Sequence, residues 1–294
     1  MKYLLIPLLC ILATSKITLQ SKFSKSNNKD MADSIFYNGV MFTSAAILLS
    51  FSVLKNTVTY STYIYGIIMG VLSVVYQFFY ICAFSKGKMT LTVIINNFSM
   101  ILPVTVSFVL FNEELGIFKI IGTVLALVSF VFSAQQEKNS ITSNKANKSG
   151  AQWLLFTILV FLSNGFISIN QKIYSASTQK LQVFEFVAIS YITAALLSFL
   201  ILSILAVRNK NIILKKQPKA IASGCLVGIL LGVFQCINTY AASVIDGAIL
   251  YSTYNCGVSL LSTITGKILF KEKLSAKQQV GVFVGIMAIV FLCL

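Results

Sequence analysis

Long apolar runs, separated by short polar connections, dominate the pattern of this chain. A helix that crosses a lipid bilayer needs about 20 mainly apolar residues, and ten stretches reach or nearly reach that length. The predicted helices are Tyr3–Gln20, Ser34–Leu54, Tyr63–Phe84, Met89–Phe111, Ile117–Ala134, Trp153–Asn170, Val183–Val207, Ala220–Ser243, Gly247–Phe270 and Gln278–Leu294. The Ser-, Asn- and Lys-rich stretch 135–150 predicts a linker between two halves, 1–134 and 151–294.

The composition makes the bilayer part of the solvent. Of the 294 residues, 57% are hydrophobic and only 11% are charged, whereas a soluble domain carries roughly 25% charged residues. The remaining polar side chains are too few to cover a surface that faces water. The fold class predicted is therefore an all-α integral membrane protein that crosses the plasma membrane several times, with the inner membrane of a bacterium as the expected location.

The strong positive charge, +15, has a topological explanation. Lysines and arginines stand singly or in short clusters between apolar runs, a pattern that does not favour nucleic acid as a partner. With ten spans, seventeen of them fall on one side of the membrane and five on the other. The positive-inside rule makes the richer side cytoplasmic, so the lysine pattern predicts that both termini face outward.

The residue types argue against catalytic and metal chemistry. The chain has no histidine, and its six cysteines lie in apolar runs without a CxxC motif, so they are interpreted as small packing residues. No spaced pair of carboxylates falls inside a predicted span, and no Gly-rich phosphate-binding loop is present. We therefore expect no enzyme activity, no cofactor and no metal. A membrane-embedded enzyme remains the less favoured alternative.

An internal repeat relates the two halves. Phe111–Gly122 (FNEELGIFKIIG) matches Phe270–Gly281 (FKEKLSAKQQVG), and upstream pairs of identical residues follow at nearly the same spacing. These pairs are Gly70 with Gly228, Gln77 with Gln235, Ala83 with Ala241, Ser85 with Ser243, and Asn97 with Asn255. Five helices per half is an odd number, so the second half must enter the membrane from the opposite side. The pattern therefore predicts two inverted-topology five-helix repeats, an arrangement typical of secondary transporters.

The repeat also bears on the N-terminus. Lys2 followed by an apolar run is similar to a signal peptide. However, the stretch 3–24 has a counterpart at 153–174 in the second half. A segment with an internal counterpart is expected to be part of the mature fold.

The paired loop motifs resemble the EamA-like branch of the drug/metabolite transporter superfamily. The resemblance is carried by Pro103, the FNEEL loop with Gly122, and the second copy FKEKL with Gly281. It implies a ten-helix carrier and covers nearly the whole chain. The sequence departs from the pattern at Ser262, which stands where the first half has Pro103. Members of the family also usually keep both termini in the cytoplasm, opposite to the orientation that the lysines predict.

Amide side chains inside apolar segments are the main candidates for a binding site. Polar groups are costly in a membrane and tend to face the bundle interior or a water-filled path. Amides both donate and accept hydrogen bonds, so they can orient a polar solute without a net charge. Interhelical hydrogen bonding uses the same residue types and is an equal alternative. The candidates are Gln77, Gln235, Asn97, Asn255, Asn96 and Asn164.

Aromatic and charged residues complete the predicted site. Tyr76 and Tyr80 neighbour Gln77, whereas Tyr251 and Tyr254 neighbour Asn255, and packing or interface anchoring is their more common role. Lys16 is a candidate counter-ion for an anionic substrate. The competing and favoured interpretation is that Lys16, near the predicted end of its segment, extends to the interface.

The positions of the carboxylates in the sequence favour structural roles for them. Glu185 stands at the start of a predicted segment and is interpreted as interfacial. Glu113 and Glu272 are expected to cap the helices that close each half, because acidic groups complement a helix N-terminus.

Together these features predict a secondary carrier. It would move a small polar organic metabolite or drug, without ATP, through a central cavity between the repeats by alternating access. A non-transporting membrane scaffold or sensor is the alternative from another class. The substrate, the direction of transport, the coupling ion and the oligomeric state are not readable from the sequence.

Overall fold

The computed structural model describes residues 2–27, 31–87, 89–111, 116–134, 144–177, 181–208, 218–271 and 276–293. Within these ranges the chain forms helices and connecting loops, without a strand. After a short 3-10 turn at Lys2–Leu4, the α-helices are α1 Leu5–Asn27, α2 Met31–Lys55, α3 Tyr60–Lys86, α4 Met89–Asn97, α5 Ile101–Phe111, α6 Ile117–Ala134, α7 Asn144–Ser177, α8 Val183–Arg208, α9 Pro218–Val244, α10 Gly247–Leu269 and α11 Ala276–Cys293.

Every predicted segment coincides with helical structure, and three differ from it by more than a few residues or in continuity. Helix α1 continues to Asn27 and α7 begins at Asn144, so both are longer than their apolar runs. The last seven residues of the predicted linker are the beginning of α7. The predicted segment Met89–Phe111 is divided into α4, a 3-10 turn at Phe98–Met100, and α5. A hydrophobic run reports which residues avoid water, whereas helix ends depend on hydrogen bonding.

The surface of the bundle is apolar and its interior contains amides. Large side chains such as Phe51, 73% exposed, and Leu200, 56% exposed, point outward, whereas Gln77 and Gln235 are buried. This is the distribution expected when lipid surrounds the protein. Within the described ranges, seven helical stretches are long and apolar enough to cross a bilayer: 2–25, 31–55, 60–86, 92–110, 151–176, 183–207 and 218–244. The chain is a multi-pass membrane protein.

Packing between the halves holds the bundle together. Helix α2 packs on α8 and α9, while α3 packs on α7 and α8. Helix α1 packs on α9 and α10, α4 packs on α10, and α6 packs on α11. Two glycines permit the closest approaches. A Cβ atom at Gly70 would overlap the carbonyl of Ser190, and one at Gly228 would overlap the carbonyl of Met41. Small residues let membrane helices approach at their backbones.

A single glutamine secures the α2–α3 connection. The Gln182 amide nitrogen donates to the Thr57 carbonyl at 2.7 Å, and its amide oxygen accepts from the Thr59 backbone N–H at 2.9 Å. Glu185, in the first turn of α8, is buried and accepts a hydrogen bond of 2.6 Å from Asn56. These contacts satisfy polar backbone groups that would otherwise lack partners near the membrane.

Some residues singled out from the sequence fall elsewhere. Glu113, Glu272 and residues 135–143 of the predicted linker lie outside the described residues.

The described cysteines are free thiols: Cys10, Cys82, Cys225, Cys236 and Cys256.

Candidate functional site

A cavity of about 60 Å³ lies in the interior of the bundle, between the two halves. Its wall is polar as well as aromatic and is contributed by α1, α2, α3, α4, α7, α8, α9 and α10. It is lined by Lys16, Ile17, Phe42, Met69, Ser73, Tyr76, Gln77, Asn96, Asn97, Asn164, Ile167, Ser168, Gln171, Tyr191, Leu231, Phe234, Gln235, Asn238, Tyr251, Tyr254 and Asn255. The structure therefore brings ten of the eleven residues predicted from the sequence to one cavity. Tyr80 is the exception.

In the first half, Gln77 lines the cavity and is hydrogen-bonded by Gln20 of α1. The Gln20 amide nitrogen donates to the amide oxygen of Gln77 at 2.8 Å and contacts the sulfur of Met41 at 3.4 Å. Both glutamines are buried. Gln77 is thus held in one orientation by α1, and part of its hydrogen-bonding capacity is already used within the protein.

The repeat-related asparagines meet but play different roles. The Asn97 side chain on α4 donates to the backbone carbonyl of Asn255 at 2.9 Å and to the hydroxyl of Ser259 at 2.7 Å. The Asn255 side chain donates to the carbonyl of Tyr251, one turn earlier in its own helix, at 2.7 Å. Asn97 therefore links α4 to α10, whereas the amide of Asn255 bonds locally.

The second half contributes a similar amide network. The Asn238 side chain donates to the amide oxygen of Gln171 at 2.9 Å, and Gln171 donates to the hydroxyl of Thr239 at 2.7 Å. Asn164 donates to the hydroxyl of Ser99 at 2.7 Å, which ties α7 to the 3-10 turn after α4. These bonds fix the positions of the amides around the cavity.

Sequence reasoning did not single out Gln171 or Asn238, although a signal was present. Asn164, Ser168 and Gln171 are spaced four and three residues apart, so they share one face of α7. Asn238 follows Gln235 by three residues and shares its face of α9. Comparing polar residues by helical face, in addition to comparing the two halves, would have found both.

Three amide groups in the cavity wall keep unused hydrogen-bonding capacity. The amide nitrogen of Gln235 and the amide oxygens of Asn96 and Asn238 are buried and have no hydrogen-bond partner within the described structure. Leaving a buried donor or acceptor unpaired costs about 1–3 kcal/mol. A bound solute with complementary polar groups would recover part of this cost, so these atoms are the strongest candidates for direct contacts.

Aromatic rings form the rest of the wall. Phe234 and Tyr254 lie with their ring centroids 5.8 Å apart, and the hydroxyl of Tyr251 donates to the Ser168 carbonyl at 3.2 Å. Tyr76 lines the cavity and stacks on Tyr80 at 5.1 Å. Tyr80 itself is one helical turn further along α3 and is buried behind the wall, which excludes it from direct contact.

Lys16 is the charged residue of the cavity wall. Its side chain is 5% exposed, and its Nζ atom lies 5.3 Å from the ring centroid of Phe234. An ammonium over an aromatic face is attracted by the quadrupole of the ring. The described carboxylates Asp33, Glu185 and Asp246 do not line the cavity. The site can therefore offer one cation, amides and aromatic faces to a small solute.

The comparisons with known proteins agree with this architecture. Residues 3–135 match the family described as "EamA-like transporter family". The chain is 26% identical over 197 residues to an uncharacterized protein of Haemophilus influenzae, an alignment that covers 65% of this chain and 62% of that relative. The matched region thus spans less than two thirds of the relative.

A solved structure shares the fold along almost the entire chain. This crystal structure of a protein aligns with a TM-score of 0.65 at 14% sequence identity, and the alignment covers 97% of this chain and 98% of the other. The first two helices, Gly70 and the closing motif of the first half, Phe111–Gly122, all fall inside the matched range 3–135. Residues 3–135 are thus similar to the EamA-like transporter family, and the fold of the whole chain is similar to that of the solved structure.

Proposed function

We propose that this chain is a secondary transporter that moves a small polar organic solute by alternating access, without ATP and without enzymatic chemistry. The cavity between its two halves would be the binding site, and the plasma membrane, the inner membrane of a bacterium, would be its location. The observation that carries the proposal is the convergence of repeat-related amides from both halves on one buried cavity.

The packing of the helices supports an inverted repeat of five plus five. In this scheme α1 corresponds to α7, α2 to α8, α3 to α9, α4–α5 to α10, and α6 to α11. Exchanging the halves turns the contact of α3 with α7 into that of α9 with α1, and the contact of α3 with α8 into that of α9 with α2; all four contacts are present. Helices α2 and α8, and α6 and α11, pack directly on their counterparts.

The paired glycines support the same scheme at atomic detail. Next to Gly70 on α3 lies the side chain of Thr193 on α8, and next to Gly228 on α9 lies the side chain of Ser44 on α2. The second contact is the first with the halves exchanged. In a fold with this symmetry, exchanging the arrangements of the two halves would give a second conformation, and this exchange would be the basis of the proposed alternating access.

The cavity is small. Its volume of about 60 Å³ is far below the roughly 300–1,000 Å³ of sites for drug-sized ligands, so the described conformation suits a small solute. Rocking one half against the other would open a path on one side at a time. The bonds from Asn97 to α10 cross between the halves and would have to rearrange during such a movement.

Flux into proteoliposomes tests the proposal, with Gln235→Leu as the most informative variant. The Gln235 amide nitrogen has no partner in the described structure, so its removal should hardly change the folding stability. Loss of one hydrogen bond to the solute should raise KM about tenfold. The assay should screen labelled polar metabolites and drugs for saturable uptake without ATP.

Gln152→Leu is the matched control. This glutamine is exposed and accepts a hydrogen bond from Lys86 at 2.9 Å, away from the cavity. If KM is unchanged in Gln235→Leu, or if Gln152→Leu raises KM by the same factor, the cavity is not part of the transport path. A folded protein that gives no saturable flux with any solute would contradict transport itself.

A further inference from the structure

Lys16 is buried on the cavity wall and does not lie on the outer surface of the bundle. Lys16 lies midway along α1, Leu5–Asn27, which places it roughly 17 Å from either helix end at 1.5 Å per residue. A four-carbon side chain cannot span that distance. The apolar run alone ended at Gln20 and placed Lys16 near an end, but the helix continues, and the side chain is buried against the cavity.

Among the described residues, no carboxylate lines the cavity beside Lys16 to neutralise its charge. The ring of Phe234 covers one side of the ammonium at 5.3 Å, and an ammonium has three donors to direct elsewhere. Among the residues that line the cavity, Lys16 is the single charged side chain. A buried cation is stabilised most by an anion at short distance, because the attraction is weakly screened there.

We propose that the transported solute carries a carboxylate, which binds Lys16; this inference rests on the transport function proposed above. A second donor, the unpartnered amide nitrogen of Gln235, lies on the same cavity wall. A carboxylate accepts hydrogen bonds at both of its oxygens. The single cation matches a single negative charge, whereas phosphate recognition commonly uses several basic groups or bidentate arginine.

The unpartnered acceptors suggest what the rest of the solute offers. The amide oxygens of Asn96 and Asn238 face the same cavity without partners in the described structure. They would accept hydrogen bonds from a donor group of the solute, such as a hydroxyl. The inferred solute is therefore a small carboxylic acid with at least one hydrogen-bond donor besides the carboxylate.

Thermal unfolding of the purified full-length protein tests the inference directly. The probes are the hydroxy acids lactate and glycolate, each titrated against its neutral amide at constant ionic strength, with chloride and inorganic phosphate as separate arms. The unfolding temperature of the wild-type protein should rise with ligand concentration, and at least one acid should show a dissociation constant about tenfold lower than that of its amide. Lys16→Met should weaken binding of that acid by about tenfold to a hundredfold and leave the amide unaffected.

Lys25→Gln is the matched control, because it removes the same charge from the same helix. Lys25 is exposed, lies outside the cavity, and also covers an aromatic ring, that of Phe270, at 4.3 Å. It should bind the acid like the wild type. An equal loss in Lys25→Gln would mean that overall charge, and not the cavity, attracts the acid, which would overturn the inference.

The outcomes separate this inference from the transport proposal. Equal stabilisation by every acid and its amide in the wild type, or by chloride at the same concentration, overturns the carboxylate site and needs no variant. An acid preference that survives in Lys16→Met overturns the role of Lys16. If neutral solutes show saturable flux and Lys16→Met transports them like the wild type, the transport proposal stands and the carboxylate inference is wrong. If acid binding depends on Lys16 but no flux into vesicles occurs, the carboxylate site stands and the transport proposal is wrong.

Discussion

Helices α4–α5 and α10 correspond in the proposed repeat, yet one is interrupted and the other is continuous. The first half changes to a 3-10 turn at Phe98–Met100, whereas α10 runs without interruption from Gly247 to Leu269. Pro103 follows the turn in the first half, and Ser262 stands at the related position of the second. Proline lacks a donor, and its ring clashes with the carbonyl four residues earlier, here that of Ser99 within the turn.

The same comparison extends to the side chains that face the cavity. Asn97, just before the turn, bonds across to α10, whereas Asn255 bonds within its own helix. Lys16 in α1 lines the cavity, but Phe166, its counterpart in α7, is 52% exposed on the outside. In the proposed repeat the scaffold occurs twice, and differences between related residues make the site asymmetric.

Breaking the continuous helix α10 should change the free energy of unfolding more than any other substitution in this comparison. Ser262→Pro should lower the free energy of unfolding by about 3 kcal/mol or more, because α10 has no 3-10 turn to accommodate the ring. Ser262→Ala removes one local hydrogen bond, to the Ser259 carbonyl at 2.9 Å, and should cost less than about 1 kcal/mol. Thermal unfolding in one detergent measures both. Equal stability of the two variants would contradict proline as the cause of the interruption in the first half.

The two close helix contacts should respond alike. Gly70→Ala and Gly228→Ala each place a Cβ atom against a backbone carbonyl of the facing helix, and each should cost about 1–3 kcal/mol through overpacking. Gly116→Ala is the control, because a Cβ there would meet no atom within 4 Å. Unfolding temperatures of the three purified variants test this. A large loss in one of the paired variants alone would weaken the structural equivalence of the halves.

The asparagine pair should show the smallest and most unequal effects. Asn97→Ala removes two hydrogen bonds to α10 and should cost about 1–2 kcal/mol, whereas Asn255→Ala removes one local bond and should cost under about 1 kcal/mol. A double-mutant cycle of Asn97→Ala with Ser259→Ala should give a coupling energy above about 0.5 kcal/mol. Additive losses in that cycle would show that the 2.7 Å contact contributes nothing to stability.

Much of the candidate site was predictable because the repeat marks positions that recur. Gln77 with Gln235 and Asn97 with Asn255 could be paired from spacing alone, and the structure places all four on one cavity. Tyr80 could not be separated from Tyr76 in this way. Both share one face of α3, and only the arrangement of the neighbouring helices leaves Tyr80 buried against Phe84, with ring centroids 4.3 Å apart.

The sequence by itself determined that this chain lies in a membrane, where its helices form, and which residues of its two halves correspond, because hydropathy and internal similarity are properties of the linear order. The tertiary structure decided which helical faces meet. It brought Gln171 and Asn238 into the cavity, placed Lys16 on the cavity wall, and left one amide atom each of Gln235, Asn96 and Asn238 on that wall without a hydrogen-bond partner within the described structure. These features depend on contacts between helices far apart in the chain, and helical periodicity fixes a residue's direction only relative to its own helix.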